Sequence, residues 1–319
     1  MAEATEATGL DATGTVTGMG AGTATGLTTG PDGIDPATGT DLAADAFDPT
    51  APEAPEAPEA PEAPGIPGEQ DAPNVPTTPA PKPTTYRGWA FDTCHAPSTT
   101  TLSRWRASRY RAVGVYFGGR GRACRSQPLL TRAWMRTTHR LGWSVLPIYV
   151  GSQSPCVYGQ SKRSVRIGRN PARQGVAEGR DAVRRAKALG MLRGSALYLD
   201  MEAYAYKQKS CARTTLSFVR AWDRTLRKSG YLPGFYSSAE TGVRHIEDAR
   251  RAGVKDLPGA MWFARWRVSP RLYGERVLHR SAWPARRIHQ YAGNVRERHG
   301  GRTLTIDRNL LDAPVAKLR

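Results

Sequence analysis

The sequence predicts an α/β fold: a (β/α)8 TIM-type barrel with irregular final βα units, preceded by a disordered leader rich in Pro, Ala and Glu. Three observations carry this. From Tyr86 onward eight short apolar runs alternate with longer amphipathic stretches, the pattern of βα units around a parallel sheet. They occupy about 236 residues, the usual size of such a barrel. All eight Trp, all twelve Tyr and five of the six Phe follow residue 83, so only that part can bury a large core.

The leader comes first. Residues 1–83 hold 14 acidic side chains and one basic, Lys82, leaving 45 basic and 14 acidic for the rest, so the two parts carry about −13 and +31. Residues 1–50 are mostly Ala, Thr and Gly, and APE then repeats four times over 51–62. Regular proline with interleaved glutamate gives an extended, self-repelling chain, so 1–83 is expected to be a disordered spacer ahead of one folded domain, 84–319. The start, MAEATEATGL, has neither a cationic nor an apolar signal region, so no signal peptide is visible. No run approaches eighteen apolar residues, which argues against a transmembrane segment.

The predicted strands are GWAFD (88–92), AVGVYF (112–117), WSVLPIYV (143–150), ALYLDME (196–202), YLPGFYS (231–237), AMWFAR (260–265), RIHQYA (287–292) and LTIDRN (304–309). Helices are expected at about 99–109, 129–141, 171–190, 212–229 and 239–251, with the last two connections irregular. A doubly wound sheet is the alternative, but no GxGxxG follows the first strand.

In such a barrel the active site lies at the carboxyl ends of the strands. Acids fall there: Asp92 after strand 1, Asp200 and Glu202 at strand 4, and Asp307 on strand 8. Asp200 and Glu202 stand at i and i+2 of a strand and share a face. Paired carboxyls in a buried site divide into a protonated acid and a charged partner, as glycoside hydrolysis requires. The competing account, counter-ions for an arginine-rich surface, suits Asp307 better than the pair, whose strand reads as core. Tyr116, Tyr149, Tyr204, Tyr236, Trp262 and Trp266 are candidate sugar platforms near the same strand ends, with core packing as the alternative for each. The six histidines show no HExxH or HxH spacing, so no metal is expected; His95 reads as a loop residue. No GxSxG elbow is present, and no cofactor is expected.

The four cysteines (Cys94, Cys124, Cys156, Cys211) permit two disulfides in three connectivities, or buried free thiols. Cys94 and Cys124 follow strands 1 and 2, and Cys156 and Cys211 follow strands 3 and 4. Neighbouring strands bring their loops side by side, so the expected pairs are Cys94–Cys124 and Cys156–Cys211. Paired cysteines imply an oxidising compartment, in tension with the missing signal.

GWAFDTC, YLDMEAY, GFYSS, MWFARW, IHQYAG and TIDRNL resemble, in order and rough spacing, the glycoside hydrolase family 25 lysozymes. They look closer still to an actinobacterial family of glycoside-hydrolase-like domains of unknown function. The similarity covers about residues 86–312. Position by position it implies Glu202 as general acid and Asp200 as its charged partner, with Asp92 and Asp307 lining the same pocket. Tyr236, Trp262 and Gln290 match residues that shape a sugar subsite. The resemblance further implies action on N-acetylated, peptidoglycan-type cell-wall glycan, with the substrate's acetamide as nucleophile; a secreted or wall-associated monomer is expected. Fold alone does not carry function, so a non-catalytic glycan-binding barrel stands beside the hydrolase.

A basic nucleic-acid or other polyanion binder is the third class. The charge of the basic part and GGRGRACR (118–125) suit phosphates. Arginine outnumbers lysine 38 to 8, but no helix-turn-helix, zinc-finger or RNP pattern appears. Anionic wall polymers are therefore the expected polyanion, and nucleic acid is not.

Overall fold

The computed structural model describes residues 82–319; the predicted leader, apart from its last two residues, lies outside them. Eight strands close a barrel in sequence order: β1 (Thr85–Asp92), β2 (Tyr110–Gly118), β3 (Ser144–Val150), β4 (Ala196–Asp200), β5 (Leu232–Ser238), β6 (Ala260–Ala264), β7 (Arg287–His299) and β8 (Arg302–Pro314). Each of the eight predicted runs forms one of these strands.

Residues alternate between two cores. Ala90, Ala112, Leu146, Ile148, Tyr198, Trp262, Ile288 and Leu311 fill the barrel interior. Their odd-parity neighbours, such as Phe91, Val113, Val145, Leu197, Phe235 and Phe263, face the helices. The helices are α1 (Thr99–Trp105), α2 (Arg132–Arg140), α3 (Pro171–Ala188), α4 (Lys209–Lys228) and α5 (Arg244–Arg251). The starts of α1, α2 and α3 follow ordinary capping chemistry. Ser98 Oγ accepts from the Thr101 amide and Thr131 Oγ1 from the Trp134 amide, and Pro171 opens α3, where its missing N–H costs nothing. A π-turn over Ala239–Val243 leads into α5.

The eighth unit departs from the expected parallel barrel. β1 to β7 pair in parallel, but β8 runs antiparallel to both β7 and β1. The reason is local. Between His299 and Arg302 stand Gly300 and Gly301, at φ 53° and 78°, a two-residue turn that joins antiparallel strands and leaves no room for a crossover helix. The hairpin seats on α1: Trp105 Nε1 donates to the Arg302 carbonyl at 3.0 Å and its ring meets His299 edge-on.

Both disulfides form in the expected pairs, Cys94–Cys124 and Cys156–Cys211, with Cα separations of 5.7 and 6.0 Å. Among the described residues, no helix is long and apolar enough to cross a membrane.

Candidate active site

The acids converge because of strand parity. Asp92, Asp200 and Asp307 occupy inward-facing positions, and the register pairs Asp92 with Asp307 across β1–β8. Asp307 reaches the mouth because β8 enters the barrel there: it lies in the first half of an antiparallel strand, not at a carboxyl end as expected. Room for Asp92 comes from Gly114, its partner on β2, where a Cβ would lie 2.5 Å from the Asp92 Cβ.

Asp92 is bound on every side. Its Oδ1 accepts from the Tyr116 hydroxyl at 2.8 Å; its Oδ2 accepts from Asn309 Nδ2 at 2.8 Å and Gln290 Nε2 at 3.1 Å. Burial raises its pKa, and those three donors oppose the rise. The donors are themselves held. Trp262 Nε1 donates to Asn309 Oδ1 at 2.8 Å, while the Tyr236 hydroxyl and Trp266 Nε1 donate to Gln290 Oε1 at 2.9 and 3.0 Å. Asp307 accepts from the Asn294 amide at 2.7 Å; burial first, and the charge of Asp92 next, push its carboxyl up to about 7.

Asp200 and Glu202 have unlike surroundings. Asp200 is 3% exposed and its Oδ1 has no hydrogen-bond partner. Burial, then the charge of Glu202, push its carboxyl up to about 8, against the pull of Lys162. Glu202 lies two residues past Asp200, its side chain 21% exposed, and its Oε1 pairs with the Lys162 ammonium at 3.4 Å. Lys162 is buried and also donates to the Gly121 carbonyl at 2.9 Å, so one cation ties the loops after β2 and β3 to the end of β4. Gln153 completes the clasp: its Nε2 donates to the Asp200 carbonyl at 2.9 Å and its Oε1 accepts from the Glu202 amide at 2.7 Å.

The structure thus brings together Asp92, Asp200, Glu202, Asp307, Tyr116, Tyr236, Gln290 and Trp262, though Trp262 is a fully buried floor residue with no free face. It does not bring in Tyr149. That side chain has outward parity, donates to Asp181 Oδ2 at 2.9 Å and packs against Phe117 and Trp222 outside the barrel. Tyr204 is likewise buried, hydrogen-bonded to His245 Nδ1. The exposed aromatics at the rim are Trp266, at 39%, and Tyr158, at 58%, whose amide donates to the Ala203 carbonyl beside Glu202.

Sequence reasoning missed Lys162, Gln153, Asn309 and Tyr158. Asn309 stands at i+2 from Asp307 and was within reach of the same parity argument. Lys162 sits in a 3-10 turn, Gln160–Val165, where no periodicity marks it. One cluster of metal-type donors occurs among the described residues, Cys94, His95 and Cys124; its two sulfurs are tied in the disulfide, and His95 is an exposed loop residue, as read from the sequence.

The family model for the Rv2525c-like, glycoside hydrolase-like domain matches residues 103–311. Among solved structures, the Mycobacterium tuberculosis Tat-secreted protein Rv2525c, in complex with L-tartrate, is 19% identical at a TM-score of 0.50, covering 72% of this chain and 99% of that one. An uncharacterized B. stearothermophilus protein is 19% identical at a TM-score of 0.46, covering 70% and 95%. The Clostridium perfringens spore cortex lytic enzyme SleM is 12% identical at a TM-score of 0.46, covering 70% and 67%. No curated protein matches the chain.

Proposed function

The chain belongs to the Rv2525c-like, glycoside hydrolase-like domain family, and from that premise we propose that its barrel binds and hydrolyses a peptidoglycan-type glycan by carboxylate acid/base chemistry. One observation carries the reading: two neighbouring carboxyls have unlike surroundings, Asp200 buried with an unpartnered Oδ1 and Glu202 held by a buried lysine. Asp200, buried and pushed up to about 8, holds a proton at neutral pH, while Glu202 is ion-paired to Lys162. That is the division of labour glycoside hydrolysis needs. It also reverses the roles the resemblance implies. Asp200 delivers the proton to the departing glycosidic oxygen, and Glu202 supplies negative charge to the oxocarbenium or oxazolinium centre. Asp92, fixed by three donors, and Asp307 lie beside them. Trp266 and Tyr158 offer the exposed rings for sugar faces.

Two disulfides suit an oxidising compartment, and a Tat-secreted relative supports a secreted or wall-associated location. The second reading is a glycan-binding barrel without turnover. The Lys162–Glu202 pair favours it, because that cation occupies the carboxylate to which the resemblance assigns the acid.

The test is incubation of the full chain with purified peptidoglycan and with chitin-type oligosaccharides, scoring pull-down and new reducing ends separately. Asp200→Asn is expected to retain binding and to lose roughly 10²-fold or more in turnover, and Glu202→Gln to lose turnover through its missing charge. Glycan binding with no reducing ends from the wild type would establish the second reading instead.

A further inference from the structure

At the end of the barrel where the strands begin, opposite the acid cluster, cationic side chains gather around Tyr231. On one side a depression between α2, the end of α3 and the segment entering β4 is lined by Arg132, Arg136, Lys187 and Arg193. On the other a second depression, beneath the start of β5, is lined by Lys82, Arg227 and Arg286. Tyr231 lines both, so the two depressions adjoin, and no acidic side chain lines either among the described residues.

Several arginines elsewhere have acidic partners. Arg184 and Arg185 share Asp181, Arg220 and Arg224 share Asp256, Arg250 and Arg251 share Glu247, and Arg308 pairs with Glu297. Around Tyr231, Arg132, Arg227 and Arg286 donate to backbone carbonyls, while Arg136, Lys187 and Arg193 are exposed and none of these three has an ion pair with a described residue. Like charges gathered along a concave surface focus a positive potential that only an anion relieves.

We infer that this face is a second binding site, for a linear phosphodiester polymer of the polyol-phosphate type found in cell walls. A run of phosphates matches a run of cations, and release of condensed counterions drives such binding without any reading of sequence. A nucleic acid fits less well. Single strands are gripped by stacking bases on exposed aromatic faces, and the aromatic here, Tyr231, is 3% exposed with its hydroxyl donated to the Met191 carbonyl at 2.9 Å. A polymer with phosphates and no bases asks for charge alone. The site is independent of the glycan chemistry at the opposite end of the barrel, and together the two ends would let one molecule hold an anionic polymer while engaging glycan.

The experiment measures binding of the full chain to poly(glycerol phosphate) oligomers of defined length and to single-stranded DNA of equal phosphate number. The expected result is oligomer binding that weakens by ~10-fold or more between about 50 and about 200 mM salt. The triple variant R136Q/K187Q/R193Q should lose at least ~10-fold, and a control that removes the same charge from exposed positions just before and within the first ten residues of α3, R169Q/R173Q/R180Q, less than ~3-fold. Circular dichroism confirms that both variants fold. Equal losses in the two triple variants would show an effect of net charge and overturn the site. Tighter binding of DNA than of the oligomer, lost in the first variant, would overturn the assigned ligand in favour of nucleic acid.

Discussion

At Asp200 the chemistry and the stability of the protein oppose each other. Its carboxyl is pushed up to about 8 in the folded chain from an ordinary value of 3.8. Between those values the folded state keeps a proton that the unfolded state releases. Stability from this group is therefore highest at low pH and declines as pH rises through the window. Asp200→Asn removes the liability, so thermal unfolding at about pH 9 should shift up by several degrees, with little change only near about pH 4 and below, while turnover is lost. An unfolding midpoint that moves equally at both pH values would show that the carboxyl is not buried as described. Lys162 acts in the other direction. Lys162→Met strands Glu202 next to Asp200 with no counter-ion, and unfolding experiments should show a loss of about 1–3 kcal/mol at neutral pH. Of this residue-level picture the sequence displayed the four acids, because strand position and parity are written in an apolar run. Lys162 was not legible: an irregular turn carries no period, and only tertiary contact shows which carboxylate it meets. Tyr149 was misread because its nearness to a strand end counted for more than its parity, which the inward Ile148 and Val150 determine.

At the scale of elements, the β7–β8 hairpin and α4 are the informative pieces. An antiparallel strand and a parallel one share the same alternation, so RIHQYA and LTIDRN could not reveal direction; the Gly300–Gly301 pair between them was the available sign. The consequence is that Asp307 and Asn309 descend into the mouth beside Asp92 from the partner strand. Gly114 on β2 belongs to the same arrangement. Gly114→Ala drives a methyl into Asp92, so it should lower turnover with a smaller effect on stability than a core cavity would have. α4 carries an unrelated cost. Asp223 is fully buried on it with both carboxyl oxygens unpartnered, and burial lifts its pKa well above the ordinary range. A group that is neutral and makes no hydrogen bond gains nothing from being polar, so Asp223→Leu should raise the denaturant midpoint, by about 1–2 kcal/mol in stability. A fall would show that Asp223 has a partner in solution. The disulfide Cys156–Cys211 fastens the start of α4 to the loop after β3, and its reduction should lower stability by about 2–4 kcal/mol.

Over the whole molecule, function is laid out by the barrel's polarity. Carboxyls and their donors collect where strands β1 to β7 end, and unpaired cations collect where they begin. The fold was largely legible because eight apolar runs at regular spacing leave few alternatives, and the cysteine pairing followed from strand adjacency. What the sequence could not display was the protonation of the site, since burial and charge contacts decide it. The measurement that tests the central claim most directly is the pH dependence of reducing-end release from peptidoglycan by the wild type and by Asp200→Asn. The account predicts a wild-type rate that falls above about pH 8, as Asp200 loses its proton, and a variant rate lower by roughly 10²-fold across the range. A wild type that binds the glycan without releasing reducing ends, or an Asp200→Asn variant that cleaves as fast as the wild type, would contradict it.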